Sequence, residues 1–271
     1  MTILVTEQGP VHYETFGRGR PVLLLHGWLG SWALWRKTIE ILGKEFRTYA
    51  LDFWGFGERA AGDKAQDYSV DNFIMQVNEF MNRLGIVKAP LIGHSMGGTV
   101  SLGTAIRYPE RVVKVIVVGS PIHGVSLNPL LKLAGYSGWI SLAETAPPLF
   151  TTFMRGLRTG LRGYAYFMAK DGKTLGNMLA ADVSNLTVGP FFQSIGTLRQ
   201  TDLRPRLSEI NMPILGIYGK KDVIVNPNQS QVLKQYAPHS KIAWFEDSNH
   251  FPMMDEPERF HQTVREFLNN G

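Results

Sequence analysis

The stretch Gly93-His94-Ser95-Met96-Gly97, followed by Gly98, decides the fold of this 271-residue chain. An apolar run, Ala89 to Ile92, precedes it, and a run of helical character, Thr99 to Tyr108, follows it. This context is typical of a strand, a tight turn and a helix. Such a turn strains its central residue and needs small neighbours, because a Cβ beside it would collide with the strand or the helix. The pattern therefore predicts that Ser95 is a nucleophile at a helix N-terminus.

Strands and helices alternate along most of the remaining chain. The first two predicted strands flank Gln8-Gly9-Pro10 and form an antiparallel hairpin. Alternation of later strands with helices favours right-handed crossovers and a parallel sheet. Besides the strand before Ser95, the predicted strands are Thr2–Thr6, Val11–Phe16, Pro21–Leu25, Thr48–Phe53, Val112–Val118, Ile214–Tyr218 and Lys241–Phe245. The predicted helices include Trp32–Leu42, which Ser31 is expected to cap, Val70–Leu84 and Pro257–Leu268.

Between residues 121 and 199 this alternation stops. No strand-like run occurs there. The pattern instead predicts short helical pieces, interrupted by Pro147-Pro148 and by several glycines, among them Gly156, Gly160 and Gly163. We therefore expect a separate helical region inserted between two strands of the sheet.

A serine hydroxyl is a weak nucleophile, so it needs a base and an acidic group that orients the base. Asp222 follows one predicted strand and His250 follows the last one. Both, like Ser95, would lie beyond the carboxyl ends of strands, where ligands of open α/β sheets gather. Asp247 and Asp255 are alternative acids close to His250, but neither comes directly after a strand.

The chain has seven histidines, and six have simpler interpretations than catalysis. We expect His26 and His94 to make local hydrogen bonds that order their own loops. Asp52, at the end of another strand, is likewise interpreted as ordering a loop. The remaining four are His12 in the hairpin, His123 at the start of the insertion, and His239 and His261 in polar runs.

The G-x-S-x-G motif and the order Ser95, Asp222, His250 resemble the α/β-hydrolase superfamily over essentially the whole chain. The resemblance implies a mostly parallel eight-stranded sheet flanked by helices, with a helical cap inserted after the sixth strand. The expected core is 1–120 and 200–271, and the expected cap is 121–199.

A tetrahedral intermediate needs N–H donors for its oxyanion. The amide of Met96, directly after the nucleophile, is one expected donor. The sequence His26-Gly27-Trp28 resembles the oxyanion loop of the superfamily, which implies that the amide of Trp28 is the other.

Several residues separate this chain from particular branches of the superfamily. Haloalkane dehalogenases and epoxide hydrolases carry Asp where this chain has Ser95. Ring-cleavage hydrolases usually carry Trp where Phe251 follows His250, and peroxidase-like esterases commonly carry Pro where this chain has Leu29. The motif containing Trp28, together with a basic cap, is similar to the methyl-ester carboxylesterases that act on acyl-carrier-protein esters.

The insertion is both basic and aromatic. Residues 121–200 contain seven basic side chains against three acidic ones, most of the net charge of +5. Two interpretations remain open: a solvated basic face over an apolar underside, or an apolar acyl tunnel with a basic rim that binds an anionic partner. The predicted substrate contacts are Trp28, His123, Phe153, Phe167 and Phe251.

Composition excludes other classes of protein. The chain has no cysteine, and we expect no metal, no cofactor and no nucleic-acid partner, since it lacks a complete dinucleotide fingerprint or phosphate loop. No signal peptide or membrane-spanning run is apparent, so a cytoplasmic location is expected.

The sequence thus predicts a serine hydrolase that cleaves carboxylic esters of small to medium, largely apolar acyl groups through an acyl-enzyme. Alternatives are a C–C bond hydrolase, an acyltransferase, or a methyl-ester hydrolase acting on acyl-carrier-protein esters. A binding protein that retains the fold to hold a small ligand is the non-enzymatic alternative. The oligomeric state is left open.

Overall fold

The computed structural model describes residues 2–57 and 67–270. Its eight strands form one sheet in the order β1-β2-β4-β3-β5-β6-β7-β8. β1 and β2 pair antiparallel, as do β2 and β4, and all other neighbours are parallel. The strands are β1 Thr2–Thr6, β2 Gly9–Phe16, β3 Pro21–Leu25, β4 Arg47–Leu51, β5 Ala89–His94, β6 Val112–Val118, β7 Ile214–Gly219 and β8 Lys241–Phe245.

Helices cover the sheet and fill the connection between β6 and β7. They are α1 Arg36–Leu42, α2 Val70–Arg83, α3 Met96–Arg107, α4 Pro129–Ala134, α5 Gly138–Thr145, α6 Pro147–Met168, α7 Gly172–Val183, α8 Val188–Gln200, α9 Gln229–Tyr236, α10 Pro252–Asp255 and α11 Pro257–Asn269. A short 3-10 helix, Trp32–Trp35, precedes α1, and the Ser31 side chain caps it by accepting from the amide of Ala33, as the sequence predicts.

The central strands are apolar on both faces because helices lie on either side of them. Leu23, Leu24 and Leu25 of β3 are fully buried, as are Val115 to Val118 of β6. Continuous burial of this kind is typical of parallel strands in α/β proteins. The predicted fold class, a mostly parallel eight-stranded sheet flanked by helices, is confirmed.

The insertion differs from the sequence prediction in one respect. The prediction of short helical pieces broken by glycines is wrong for α6, which runs through Gly156, Gly160 and Gly163 without interruption. α6 packs against α7 with Met154, Leu161, Ala165 and Met168 buried, and this tertiary contact outweighs the low helix propensity of glycine.

The insertion contacts the core at the carboxyl ends of the strands. The backbone N–H of His250 donates to the carbonyl of Met168 at the end of α6 (3.1 Å). The indole N–H of Trp28 donates to the carbonyl of Phe191 in α8 (3.1 Å). These contacts hold α6 and α8 over the edge of the sheet where the predicted catalytic residues lie.

Candidate active site

The turn after β5 holds Ser95 in a strained backbone conformation. Its φ is 50° and its ψ is −119°, a combination that non-glycine residues rarely adopt. The turn closes because its neighbours lack side chains: a Cβ on Gly93 would lie 2.2 Å from the carbonyl oxygen of Gly97, and one on Gly97 would lie 2.3 Å from that of Leu25. α3 begins directly after Ser95, at Met96. The local sequence therefore forms the strand, tight turn and helix that it predicts.

His250 and Asp222 form a buried pair. Their side chains are 3% and 2% exposed, and Nδ1 of His250 lies 2.7 Å from Oδ2 of Asp222. The other carboxylate oxygen accepts the backbone N–H groups of Ile224 (2.8 Å) and Val225 (3.0 Å). Since a carboxylate only accepts, the neutral ring of His250 carries its proton on Nδ1 and a lone pair on Nε2.

The two alternative acids have other partners. Asp247 is exposed and forms an ion pair with Lys221 at 2.8 Å. Asp255 accepts the backbone N–H groups of Lys170 (2.6 Å) and Asn249 (2.7 Å), so it joins the end of the insertion to the loop that carries His250. Burial raises the pKa of Asp255. Neither carboxylate is bonded to the His250 ring among the described residues.

His94 makes a long-range contact, and the expectation of a local hydrogen bond is wrong. Its Nε2 lies 2.9 Å from the backbone carbonyl oxygen of His250, which is 156 residues away. The ring lies against that of Phe251, with 4.6 Å between centroids. His94 therefore joins the Ser95 turn to the His250 loop, a role that no local sequence signal reveals.

The loop after β3 lies directly beside Ser95. A Cβ on Gly27 would lie 3.1 Å from the Cβ of Ser95 and 2.9 Å from Nδ1 of His94. Within residues 2–57 and 67–270, no backbone hydrogen bond uses the N–H of Trp28 or that of Met96. The first N–H groups of an α-helix have no partner inside the helix, so the Met96 amide is free to bind an anion.

Buried polar residues order this loop, as the sequence predicts. Nε2 of His26 accepts the amide of Phe53 (3.0 Å), and burial lowers the pKa of His26. Asp52 accepts the amide of Trp32 (2.7 Å) and contacts Nδ1 of His12 (3.0 Å). Although burial opposes it, hydrogen bonds and charges from Asp52 and Glu14 raise the pKa of His12.

Ser95 and His250 line one inner cavity of about 90 Å³, together with Trp28 and Phe251. In the described part of the chain, no hydrogen bond joins the Ser95 hydroxyl to the His250 ring. In hydrolytic sites without substrate this contact is often long and tightens only when substrate binds. Both side chains are therefore available to a ligand in the same cavity.

A second, outer cavity of about 470 Å³ adjoins the inner one. Its lining side chains are all aliphatic or aromatic. Both of its indole N–H groups already have acceptors: Trp28 donates to the carbonyl of Phe191, and Trp139 donates to that of Leu133. An apolar wall of this kind suits hydrocarbon. Six residues line both cavities: Trp28, Leu29, Leu130, Leu131, Leu161 and Tyr164.

The predicted substrate contacts fall into two groups. Trp28 lines both cavities, Phe153 lines the outer one and Phe251 the inner one. His123 and Phe167 line neither. The side chain of His123 instead contacts that of Gln229, and its backbone forms an isolated antiparallel β-bridge with Asp202. Phe167 is exposed on the outer side of α6.

Other features of the described structure give no alternative catalytic site. A cavity of about 580 Å³ beside α1 and α7 contains none of Ser95, Asp222 and His250. Within residues 2–57 and 67–270, no group of three or more His, Cys, Asp or Glu side chains is arranged to hold a metal ion. Among the helices of the same residues, none combines the length and the apolar character needed to cross a bilayer.

The model of the α/β-hydrolase fold family matches residues 20–257. The chain belongs to the α/β-hydrolase family. This α/β-hydrolase is 29% identical over 269 residues to the pimeloyl-[acyl-carrier protein] methyl ester esterase of Vibrio campbellii, covering 95% of the chain and 98% of that protein. It is 25% identical to the bifunctional epoxide hydrolase 2 of Sus scrofa, covering 98% of the chain and 54% of that protein.

Solved structures show the same fold for this α/β-hydrolase. An esterase from Exiguobacterium antarcticum superposes with a TM-score of 0.80 at 22% identity, and the match covers 99% of both chains. A hydrolase from Pseudomonas aeruginosa superposes with a TM-score of 0.82 at 19% identity. The proteins named here are hydrolases. Two are named as esterases and one as an epoxide hydrolase, so their names differ in the chemical group that is hydrolysed.

Proposed function

We propose that this α/β-hydrolase cleaves carboxylic esters, with Ser95 as nucleophile, His250 as base and Asp222 as the residue that orients the base. One observation carries the proposal: a histidine bonded to a buried carboxylate at 2.7 Å lines the same cavity as a strained serine at a helix N-terminus. These are the parts that a serine nucleophile needs. Esterases among the relatives support ester hydrolysis as the reaction class.

The proposed reaction has two halves. Nε2 of His250 takes the hydroxyl proton of Ser95 as the Oγ atom attacks the ester carbonyl carbon, and Asp222 stabilises the resulting imidazolium. The intermediate collapses, the alcohol leaves with the proton from His250, and an acyl-enzyme remains. Water, deprotonated by His250, then attacks the acyl group and releases the acid.

The oxyanion of each tetrahedral intermediate needs donors that are already in place. We assign the backbone N–H groups of Met96 and Trp28 to this role. Both are free of backbone partners among the described residues, and the Trp28 loop lies against Ser95 through Gly27. In subtilisin, whose fold is unrelated, one fixed oxyanion donor contributes about 3 kcal/mol.

The cavities indicate the substrate class. The inner cavity of about 90 Å³ holds the reacting carbonyl, and the apolar outer cavity of about 470 Å³ accepts the hydrocarbon part of the ester. This favours small to medium, largely apolar esters. We also propose that 121–199 acts as a cap domain over a core formed by 1–120 and 200–271, because α6 and α8 contact the site from above.

Reaction with an active-site-directed fluorophosphonate tests the nucleophile. Labelling of Ser95 is expected, and mass spectrometry of the digested protein locates the adduct. The Ser95→Ala variant should fold normally, resist labelling and lose on the order of a millionfold in turnover, the loss seen for the same change in subtilisin. An adduct on another residue, or no adduct, would overturn the assignment, the second result favouring a ligand-binding protein.

Product analysis separates the alternatives within the fold. An ester series that differs in acyl chain length should show a maximum set by the outer cavity. Turnover of a diketone in preference to esters would indicate a C–C hydrolase, and transfer to an added alcohol in preference to water would indicate an acyltransferase. Epoxide hydrolysis is disfavoured, because that branch uses Asp at the position of Ser95.

A second candidate is a methyl ester whose acyl chain is attached to a carrier protein. The relative from Vibrio campbellii is named for such a substrate. In this chain α6 carries Arg155, Arg158 and Arg162 and no acidic residue, and Arg155 and Arg162 are exposed. Three guanidinium groups at offsets of three and seven share one flank of the helix and suit an acidic protein.

Replacing Arg155, Arg158 and Arg162 by Gln tests this candidate. KM for the carrier-bound methyl ester should rise, while KM for the same acyl methyl ester without carrier should not change. The difference should fade in high salt, since exposed charges are screened beyond about 10 Å at 0.1 M ionic strength. If the triple variant changes KM for the two substrates equally, or changes neither, the arginines form only a solvated face.

A further inference from the structure

The mouth of the outer cavity is surrounded by exposed apolar side chains, here called the apolar rim. Soluble proteins rarely expose a continuous group of large apolar side chains, and such groups mark contact sites. The members are between 37% and 66% exposed and also line the outer cavity: Leu130, Leu133, Trp139, Leu142, Leu149 and Phe153.

Several hydrogen-bonding groups next to the rim are engaged within the chain. The Trp139 indole N–H donates to the carbonyl of Leu133 (2.9 Å). The hydroxyls of Thr145, Thr151 and Thr152 donate to carbonyls of their own helices. A protein interface normally has about one hydrogen bond per 100–200 Å². The rim therefore suits a partner that demands few hydrogen bonds.

The helices that carry the rim are basic. α4, α5 and α6 contain Lys132, Arg155, Arg158 and Arg162 against Glu144 as their one acidic residue. On α6 the three arginines lie on the side of the helix roughly opposite Leu149 and Phe153, by helical spacing. Helices that lie in a lipid interface combine an apolar face with basic residues on the polar side in this way.

We propose that the apolar rim docks onto an anionic lipid surface. The leucines and Trp139 enter the boundary between headgroups and acyl chains, and the positive charge of the three helices attracts the anionic headgroups. The mouth of the outer cavity then opens towards lipid. Under the proposed ester hydrolysis, an apolar ester passes from the lipid into the cavity without crossing water, but the docking itself requires no catalysis.

Sedimentation with lipid vesicles tests the docking. Wild-type protein should sediment with vesicles of phosphatidylcholine and phosphatidylglycerol in equal parts, and more weakly with phosphatidylcholine alone. Salt should weaken binding to the anionic vesicles, because it screens the basic residues. The Ser95→Ala variant should bind as well as wild type, so the result is independent of the proposed chemistry.

The double variant Leu133→Glu with Leu149→Glu should lower the partition coefficient at least about tenfold, because two leucines no longer enter the apolar boundary. The matched control is Val5→Glu with Val87→Glu, which adds the same two acids at sites of 73% and 77% exposure, in β1 and before β5. The control should bind nearly as wild type. Circular dichroism and the melting temperature establish that both variants are folded.

Two results would overturn the proposal. One is wild-type protein that sediments with neither kind of vesicle. The other is equal binding by the rim variant and its control. If wild-type protein ignores vesicles but binds an acidic carrier protein, and the rim variant loses that binding, the partner of the rim is a protein instead of lipid.

Discussion

Nε2 of His94 donates to the backbone carbonyl oxygen of His250 across 2.9 Å, which joins the turn of Ser95 to the loop of the proposed base. A carbonyl only accepts, so the proton lies on Nε2, and Nδ1 is buried without a partner among the described residues. Burial, and next the neighbouring His250 ring, lower the pKa of His94 well below 6.5. His94 is therefore a neutral positioning residue.

Replacing His94 by Ala should lower kcat by about 10- to 100-fold with a much smaller change in KM, because the loop of His250 loses its anchor. The outer cavity, which is not lined by His94, remains unchanged. His94→Gln should restore part of kcat, since its amide N–H can donate to the same carbonyl. Steady-state kinetics on one ester measure both values. A fall in kcat that Gln does not relieve, or a change confined to KM, would contradict the positioning role.

Stability should decrease in mild acid. Burial lowers the pKa values of His94, His26 and His261, so the unfolded chain binds protons near pH 6.5 that the folded chain does not. The free energy of unfolding therefore falls as the pH drops below about 6.5, by at most about 1.4 kcal/mol per pH unit for each histidine. His12 acts in the opposite direction, because its pKa is raised and its contribution is lost as the pH rises.

Urea denaturation between about pH 7.5 and about pH 5.5 measures this dependence. In the His94→Gln variant the free energy of unfolding should change less steeply with pH than in wild type, because one fewer histidine takes up a proton on unfolding. A variant slope equal to that of wild type would mean that His94 does not remain neutral in the folded protein.

Local signals explain what the sequence predicts well. The turn at Ser95 has a local signal, since Gly93 lies against Gly97 only four residues away, although Gly97 also lies against Leu25 of a neighbouring strand. Asp222 and His250 are predicted because each follows an apolar strand. Only the tertiary structure shows that Asp222, and neither Asp247 nor Asp255, pairs with His250. Asp247 pairs with an exposed lysine, and Asp255 accepts backbone N–H groups.

Other features depend on packing that no local pattern encodes. The continuity of α6 through Gly160 depends on its contact with α7, and the bond between His94 and His250 spans 156 residues. Residue type and position in the chain favour His123 and Phe167 as substrate contacts, yet neither lines a cavity that contains Ser95 or adjoins it. Which face of a cap helix meets the cavity is decided by how that helix docks.

Asp222→Asn should lower turnover by roughly ten thousandfold, because the amide can stabilise the wrong tautomer of His250 and cannot stabilise its charged form. Asp247→Asn is the matched control, with the same change three residues before His250. It removes only an exposed ion pair with Lys221, which contributes little to stability, and should leave kcat unchanged. Near-normal turnover in Asp222→Asn together with inactive Asp247→Asn would reverse the assignment.

Gly160→Ala should stabilise the protein, because an added Cβ meets no atom within 4 Å and alanine is the better helix former. The expected gain is about 0.5–1 kcal/mol, which raises the melting temperature by roughly 1–4 °C. Gly97→Ala makes the same chemical change where a Cβ would lie 2.3 Å from the carbonyl oxygen of Leu25, and it should be strongly destabilising. Differential scanning calorimetry compares the two variants. Destabilisation by Gly160→Ala would show that α6 needs a bend or a close partner at this position.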